Sequence, residues 1–133
     1  MGSAILLIDS DLGFLFWLGH ALDEAGYEAF PAKSVPDAIT LVRELHRTVG
    51  LLILNCSAPG AGRFLDTMRQ SDELVKAICL DGEGHPACLP GIDAVCRKPA
   101  QFNEESKAQW VHLVRTLLST TPARHSGSSS RIN

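Results

Sequence analysis

Short runs that are almost wholly apolar alternate along this chain with longer stretches in which apolar residues recur every three or four positions. AILLI at 4–8, LLIL at 51–54, VKAICL at 75–80 and IDAVC at 92–96 are too short for free-standing helices. Their near-continuous apolar character predicts strands buried on both faces. YEAFPA at 27–32 predicts a weaker strand, and Pro31 places it at a sheet edge because proline cannot donate to a central ladder. Between the first two runs, residues 12–25 predict a helix with Leu15, Leu18, Leu22 and Ala25 on its inner face. The polar Asp9-Ser10-Asp11 run can cap its start and Gly26 ends it. Ser34 predicts the N-cap of a second helix, with Asp37 completing a box-like pattern and Pro36 in the tolerant first turn. Ala38, Leu41, Val42 and Leu45 form its apolar stripe. A short third helix is predicted around Arg63 to Arg69, using Phe64, Leu65 and Met68. Asn103 caps a last one, with Trp110, Leu113, Val114 and Leu117 inward.

Apolar strands alternating with helices predict an α/β protein with a parallel sheet covered on both faces. Five strands in this length fit the flavodoxin-like doubly wound arrangement, strand order 2-1-3-4-5. One domain is expected over residues 1–119. Residues 120–133, TTPARHSGSSSRIN, predict a disordered polar tail or linker.

With 133 residues, 45% of them hydrophobic, the chain can build one core. A net charge of −3 argues against nucleic acid as a partner, since such domains carry a basic face. No apolar stretch approaches the about 20 residues that cross a bilayer, and MGSAILLIDSD lacks the basic region of a secretory signal. A cytoplasmic protein with no membrane association is expected. Cys56, Cys79, Cys88 and Cys96 show no CxxC spacing and read as small hydrophobes of a reduced protein. The five histidines show no zinc-ligand spacing.

Candidate chemistry gathers where strands end, because open α/β sheets bind ligands beyond the carboxyl ends of their strands. The third apolar run, in LLILNCSAPG, ends at Asn55, and Pro59-Gly60 follows. An aspartate there would be a nucleophile or a metal ligand. An asparagine is neither in any useful sense.

On these segments the chain resembles the receiver domain of two-component response regulators, from about Ala4 to Leu118. ILLIDSD is similar to the family's first strand with its two consecutive acidic residues. LLILNCSAPG is similar to the third strand, where the phospho-accepting aspartate is followed four residues later by Pro-Gly. RKPAQF is similar to the Lys-Pro after the fifth strand, and EAGYEA to the exit of the first helix. The resemblance places the family's pocket on Asp9, Ser10, Asn55, Asp81 and Lys98. Ser10 stands where a second acidic residue helps hold magnesium, Asn55 at the acceptor, and Asp81 at a Thr or Ser hydroxyl. Val95 stands at the aromatic switch. Only Asp9 and Lys98 keep the pattern.

Phosphoryl transfer in the family needs a carboxylate nucleophile and a magnesium ion. Asn55 removes the nucleophile, and one first-strand carboxylate is poor material for a magnesium site. No cofactor is therefore expected, and Mg2+ binding is expected to be weak or absent. For Asp81 three arrangements are open: an ion pair with Lys98 assisted by the Asn55 amide, a solvent-facing cap, or a residual cation held with Asp9. The first is expected, giving a locked, metal-poor pocket.

Proline and glycine crowd the segment between Asp81 and Lys98, so the family's fourth helix is expected to be shortened or lost. That helix contributes to the family's phosphorylation-driven dimer surface, which argues against such dimerisation here, while a homodimer of another kind stays open. Phe16, Trp17 and His20 fall on the outer side of the first helix and mark a candidate partner interface, unless loops cover the rings. The resemblance implies a protein partner: a histidine kinase, a phosphotransfer protein or another regulator. The function read from all this is an atypical receiver domain, a non-enzymatic interaction module of phosphorelay signalling without ordinary aspartate phosphorylation. The alternatives are a receiver phosphorylated on a non-standard carboxylate such as Asp81 or Asp9, or a small flavodoxin-like ligand-binding domain. No GxGxxG or P-loop motif supports the last.

Overall fold

A computed structural model describes residues 4–81 and 90–119, with only the backbone of Asp81. The elements run β1 (Ala4–Ile8), α1 (Leu12–Glu24), β2 (Glu28–Ala32), α2 (Val35–Leu45), β3 (Val49–Asn55), α3 (Ala61–Ser71), β4 (Lys76–Asp81), β5 (Ala94–Arg97) and α4 (Glu104–Ser119). All strand pairings are parallel, in the order β2-β1-β3-β4-β5. The expected flavodoxin-like sheet is therefore the one observed. Among the described residues there are four helices and none between β4 and β5, as the glycine and proline content there predicts.

Every residue of β1 is buried because the strand is central and both sides of the sheet are covered. Ala4, Leu6 and Ile8 point to one layer with Leu52, Leu54, Ala38, Phe64 and Leu65. Ile5 and Leu7 point to the other with Leu51, Ile53, Phe14, Leu18, Leu22, Trp110 and Val114. Thus α2 and α3 pack on one face and α1 and α4 on the other. Pro31 lies in β2, an edge strand, as its missing donor requires.

Local signals place the helices. Asp11 Oδ1 accepts the Phe14 amide at 3.1 Å and caps α1, while Ser34 Oγ accepts the Asp37 amide at 3.3 Å and caps α2. Asn103 Oδ1 accepts the Ser106 amide at 2.9 Å at the start of α4. Gly26 takes φ 97° just past α1, a left-handed turn that a side chain would oppose. The third helix is longer than the predicted Arg63–Arg69 because the Pro59-Gly60 turn lets it start at Ala61.

Arg69, at the end of α3, anchors the return into β5. Its Nε donates to the Val75 carbonyl at 3.0 Å, and its Nη2 meets Asp93 Oδ2 at 3.0 Å. The same Asp93 oxygen accepts the Ala77 amide at 2.8 Å. This clamp fixes the chain entering β5.

One expectation needs correction. Cys56 and Cys79 are not independent thiols: they are joined as a disulfide, with Cα atoms 5.7 Å apart. Cys56 lies just past the end of β3 and Cys79 on the neighbouring β4, a proximity set by the sheet register (Leu54 opposite Cys79), which spacing in the sequence does not reveal. Cys96 is a free, half-buried thiol, and burial pushes its pKa up. Cys88 and the tail from residue 120 lie outside the described residues.

Candidate functional site

Three strand ends build the site. β1 delivers Asp9, β3 delivers Asn55, and the chain leaving β5 delivers Lys98. Asp9 is wholly buried, and both its oxygens are engaged. Oδ1 accepts a hydrogen bond from Asn55 Nδ2 at 3.0 Å, and Oδ2 meets Lys98 Nζ at 2.8 Å. Asn55 turns its other end to its own loop, where Oδ1 accepts the Ser57 amide at 2.9 Å. A continuous polar chain therefore runs from the Ser57 N–H through Asn55 and Asp9 to Lys98.

This wiring has a physical logic. A carboxylate taken out of water needs a counter-charge and hydrogen-bond donors, and Asp9 has one of each. Lys98 remains about a quarter exposed, so its ammonium keeps contact with solvent while neutralising the buried acid. The ammonium also lies 5.7 Å from the centroid of the Phe14 ring and 4.0 Å from Asp11 Oδ2. An amide suits the Asn55 position for the same reason: it donates to Asp9, where a second carboxylate would repel it.

Of the five residues the sequence assigns to the pocket, the structure brings Asp9, Asn55 and Lys98 into direct contact. Lys98 was expected on Asp81; among the described side chains it meets Asp9, with Asp11 at the edge of reach. The backbone of Asp81 pairs with Arg97 in the sheet, and its side chain lies outside the described residues. Ser10 is exposed and lines a cleft of about 460 Å³ beside Asn55, with Lys33, Ser34, Ser57 and Pro59.

Magnesium requires near-octahedral oxygen ligation. Among the described side chains the donor set is poor for it: Asp9 is the one strand-edge carboxylate, each of its oxygens already has a partner in Asn55 or Lys98, and Asn55 Oδ1 accepts the Ser57 amide. No group of three His, Cys, Asp or Glu able to hold a metal forms among the described residues.

The three outer residues of α1 separate. Phe16 is 65% exposed. His20 lies beside Glu24 at 3.3 Å. Trp17 is half-buried and stacks on Phe102 at 4.9 Å between ring centroids, so part of this face is covered by the chain leading into α4. Phe14, which the sequence reading did not single out, is fully buried and packs edge-on to Trp110 at 5.9 Å. Lys107 Nζ meets Glu24 Oε1 at 2.7 Å and ties α4 to α1. That bond lowers the Glu24 pKa and raises that of Lys107. Val95 is 59% exposed.

Sheet order and layer assignment are those of the flavodoxin-like, receiver-type fold. Solved structures agree. A response regulator from Thermotoga maritima is similar at TM-score 0.72 and 14% identity, covering 90% of this chain and 100% of that one. The chemotaxis response regulator CheY4 of Vibrio cholerae is similar at TM-score 0.66 and 18% identity, covering 86% and 99%. The signal receiver domain of an HD domain-containing protein from Pseudomonas fluorescens gives TM-score 0.70 and 22% identity, covering 88% and 87%. At these identities the likeness is one of fold. No protein-family model matches the sequence, and no curated protein sequence does. No helix among the described residues is long and apolar enough to cross a membrane.

Proposed function

We propose that this chain is an atypical receiver domain, a protein-interaction module of phosphorelay signalling that does not take a phosphoryl group at its strand edge. The observation that supports it most is the closed contact of Asp9 with both Asn55 and Lys98. Acyl phosphate formation needs a free carboxylate nucleophile and a cation to offset developing charge. Here the acceptor position is an amide, the buried carboxylate is fully engaged, and the lysine already neutralises it.

In this reading the output is binding rather than chemistry, and the partner is a histidine kinase, a phosphotransfer protein or another regulator. Phe16 and His20 on α1 are the residues proposed to meet it, with Trp17 supporting the face through Phe102. The test is intact-protein mass spectrometry after incubation with acetyl phosphate and magnesium. No phosphoryl adduct is expected. A covalent adduct on Asp9, Asp81 or any other carboxylate would establish the alternative, a receiver with a relocated acceptor.

A further inference from the structure

Cys56 follows Asn55 directly and lies inside the turn in which Asn55 Oδ1 accepts the Ser57 amide at 2.9 Å. Any constraint on Cys56 therefore acts within the same turn that orients the Asn55 amide toward Asp9. Its partner Cys79 sits on β4, two residues before the strand ends at Asp81, with its Cα 5.7 Å from that of Cys56. That separation falls inside the usual window for a disulfide, about 4.4–6.8 Å, and outside the range in which backbone movement is required. Both residues are nearly buried, but unequally: Cys56 keeps 8% of its surface and Cys79 2%. Cys56 is the one a small reagent reaches first.

We propose that Cys56 and Cys79 form a reversible dithiol–disulfide pair whose oxidation state sets the order of the Ser57–Asn55–Asp9–Lys98 chain. The inference rests on the reading that the site takes no phosphoryl group, and it supplies an input in that modification's place. The oxidant is a low-molecular-weight disulfide. The Cys56 thiolate attacks it, forming a mixed disulfide and releasing one thiol. The Cys79 thiolate then attacks the Cys56 sulfur, the mixed bond breaks and a second thiol leaves. Two protein thiols are oxidised, one external disulfide is reduced to two thiols, and the protons of Cys56 and Cys79 end on those products. In the oxidised state the β3–α3 loop is tied to β4. In the reduced state the turn holding Asn55 loses that covalent tie and keeps its hydrogen bonds and packing.

The experiment uses the full chain carrying C88S and C96S, so that only Cys56 and Cys79 can pair. It is equilibrated with graded glutathione and glutathione disulfide, trapped by alkylation and digested for mass spectrometry. Hydrogen exchange at the Ser57 amide is measured at each end of the series. The linked Cys56–Cys79 peptide is expected to form and to disappear reversibly. Ser57 exchange is expected to slow about tenfold on oxidation, as a local opening becomes costlier. C79S should show the fast rate under both conditions; if that variant does not fold, the titration of the parent chain decides alone. The proposal is overturned if both thiols stay free in excess disulfide, if the bond resists reduction, or if Ser57 exchange does not change. Thiol trapping and phosphoryl mass shifts are separate readouts, so failure here leaves the absence of phosphorylation standing, and a phosphoryl adduct identifies failure there.

Discussion

Asp9 is wholly buried, and among the described residues Lys98 supplies its counter-charge and Asn55 a hydrogen-bond donor. Removing the cation by Lys98→Met leaves a buried carboxylate uncompensated. The expected cost is toward the lower end of about 3–5 kcal/mol, because Lys98 itself is partly exposed. Adding Asp9→Asn should recover most of that loss, since both charges are then gone. Urea midpoints of the two variants check this, and equal midpoints would mean that the pair does not govern stability at the site. The same logic explains which residues the sequence could reveal. Asp9, Asn55 and Lys98 each end or follow an apolar run, and the resemblance to receivers carried them to one edge. Which acid Lys98 meets depends on side-chain reach across three strands, and no linear spacing encodes that.

At the scale of single elements, α1 and α4 show how one helix face is fixed while the opposite face is left to solvent. Trp110 of α4 is 3% exposed against Phe14, whereas Phe16 of α1 is 65% exposed. Trp110→Ala should therefore destabilise the fold by about 3–5 kcal/mol, the range for emptying a large buried aromatic site. Phe16→Ala should stay within about 0.5 kcal/mol, as surface changes do. Thermal or denaturant unfolding of the two variants separates these outcomes, and a large loss at Phe16 would show that the ring is structural. The helical period placed Trp110 and Leu18 inward correctly because burial follows a stripe. It left open whether loops cover the outer rings, and could not say which, because Phe102 reaches Trp17 from a loop 85 positions away in sequence, a contact outside any helical repeat.

For the molecule as a whole, the two apolar layers share one sheet, and β1 and β3 contribute side chains to both. Neither layer can lose its packing without exposing strands that the other also covers. Unfolding followed by tryptophan fluorescence, which reports the α1–α4 layer, should coincide with the far-ultraviolet transition within about 1 °C at fixed redox poise. Two separated transitions would mean that the layers melt independently.

The sequence by itself determined the sheet, its strand order, the helix caps and the residues gathered at its carboxyl edge. The elements and caps follow from local rules: a strand is apolar when both faces are covered, a cap needs a short polar side chain, and a positive φ favours glycine. The strand order and edge residues came from the alternation of strands and helices and from the resemblance to receivers. Tertiary structure alone decided that Lys98 binds Asp9, that Asn55 spans from Asp9 to the Ser57 amide, and that Cys56 meets Cys79. These are contacts between segments brought together by strand register, and a few ångströms of side-chain reach choose among partners that the linear chain leaves equivalent.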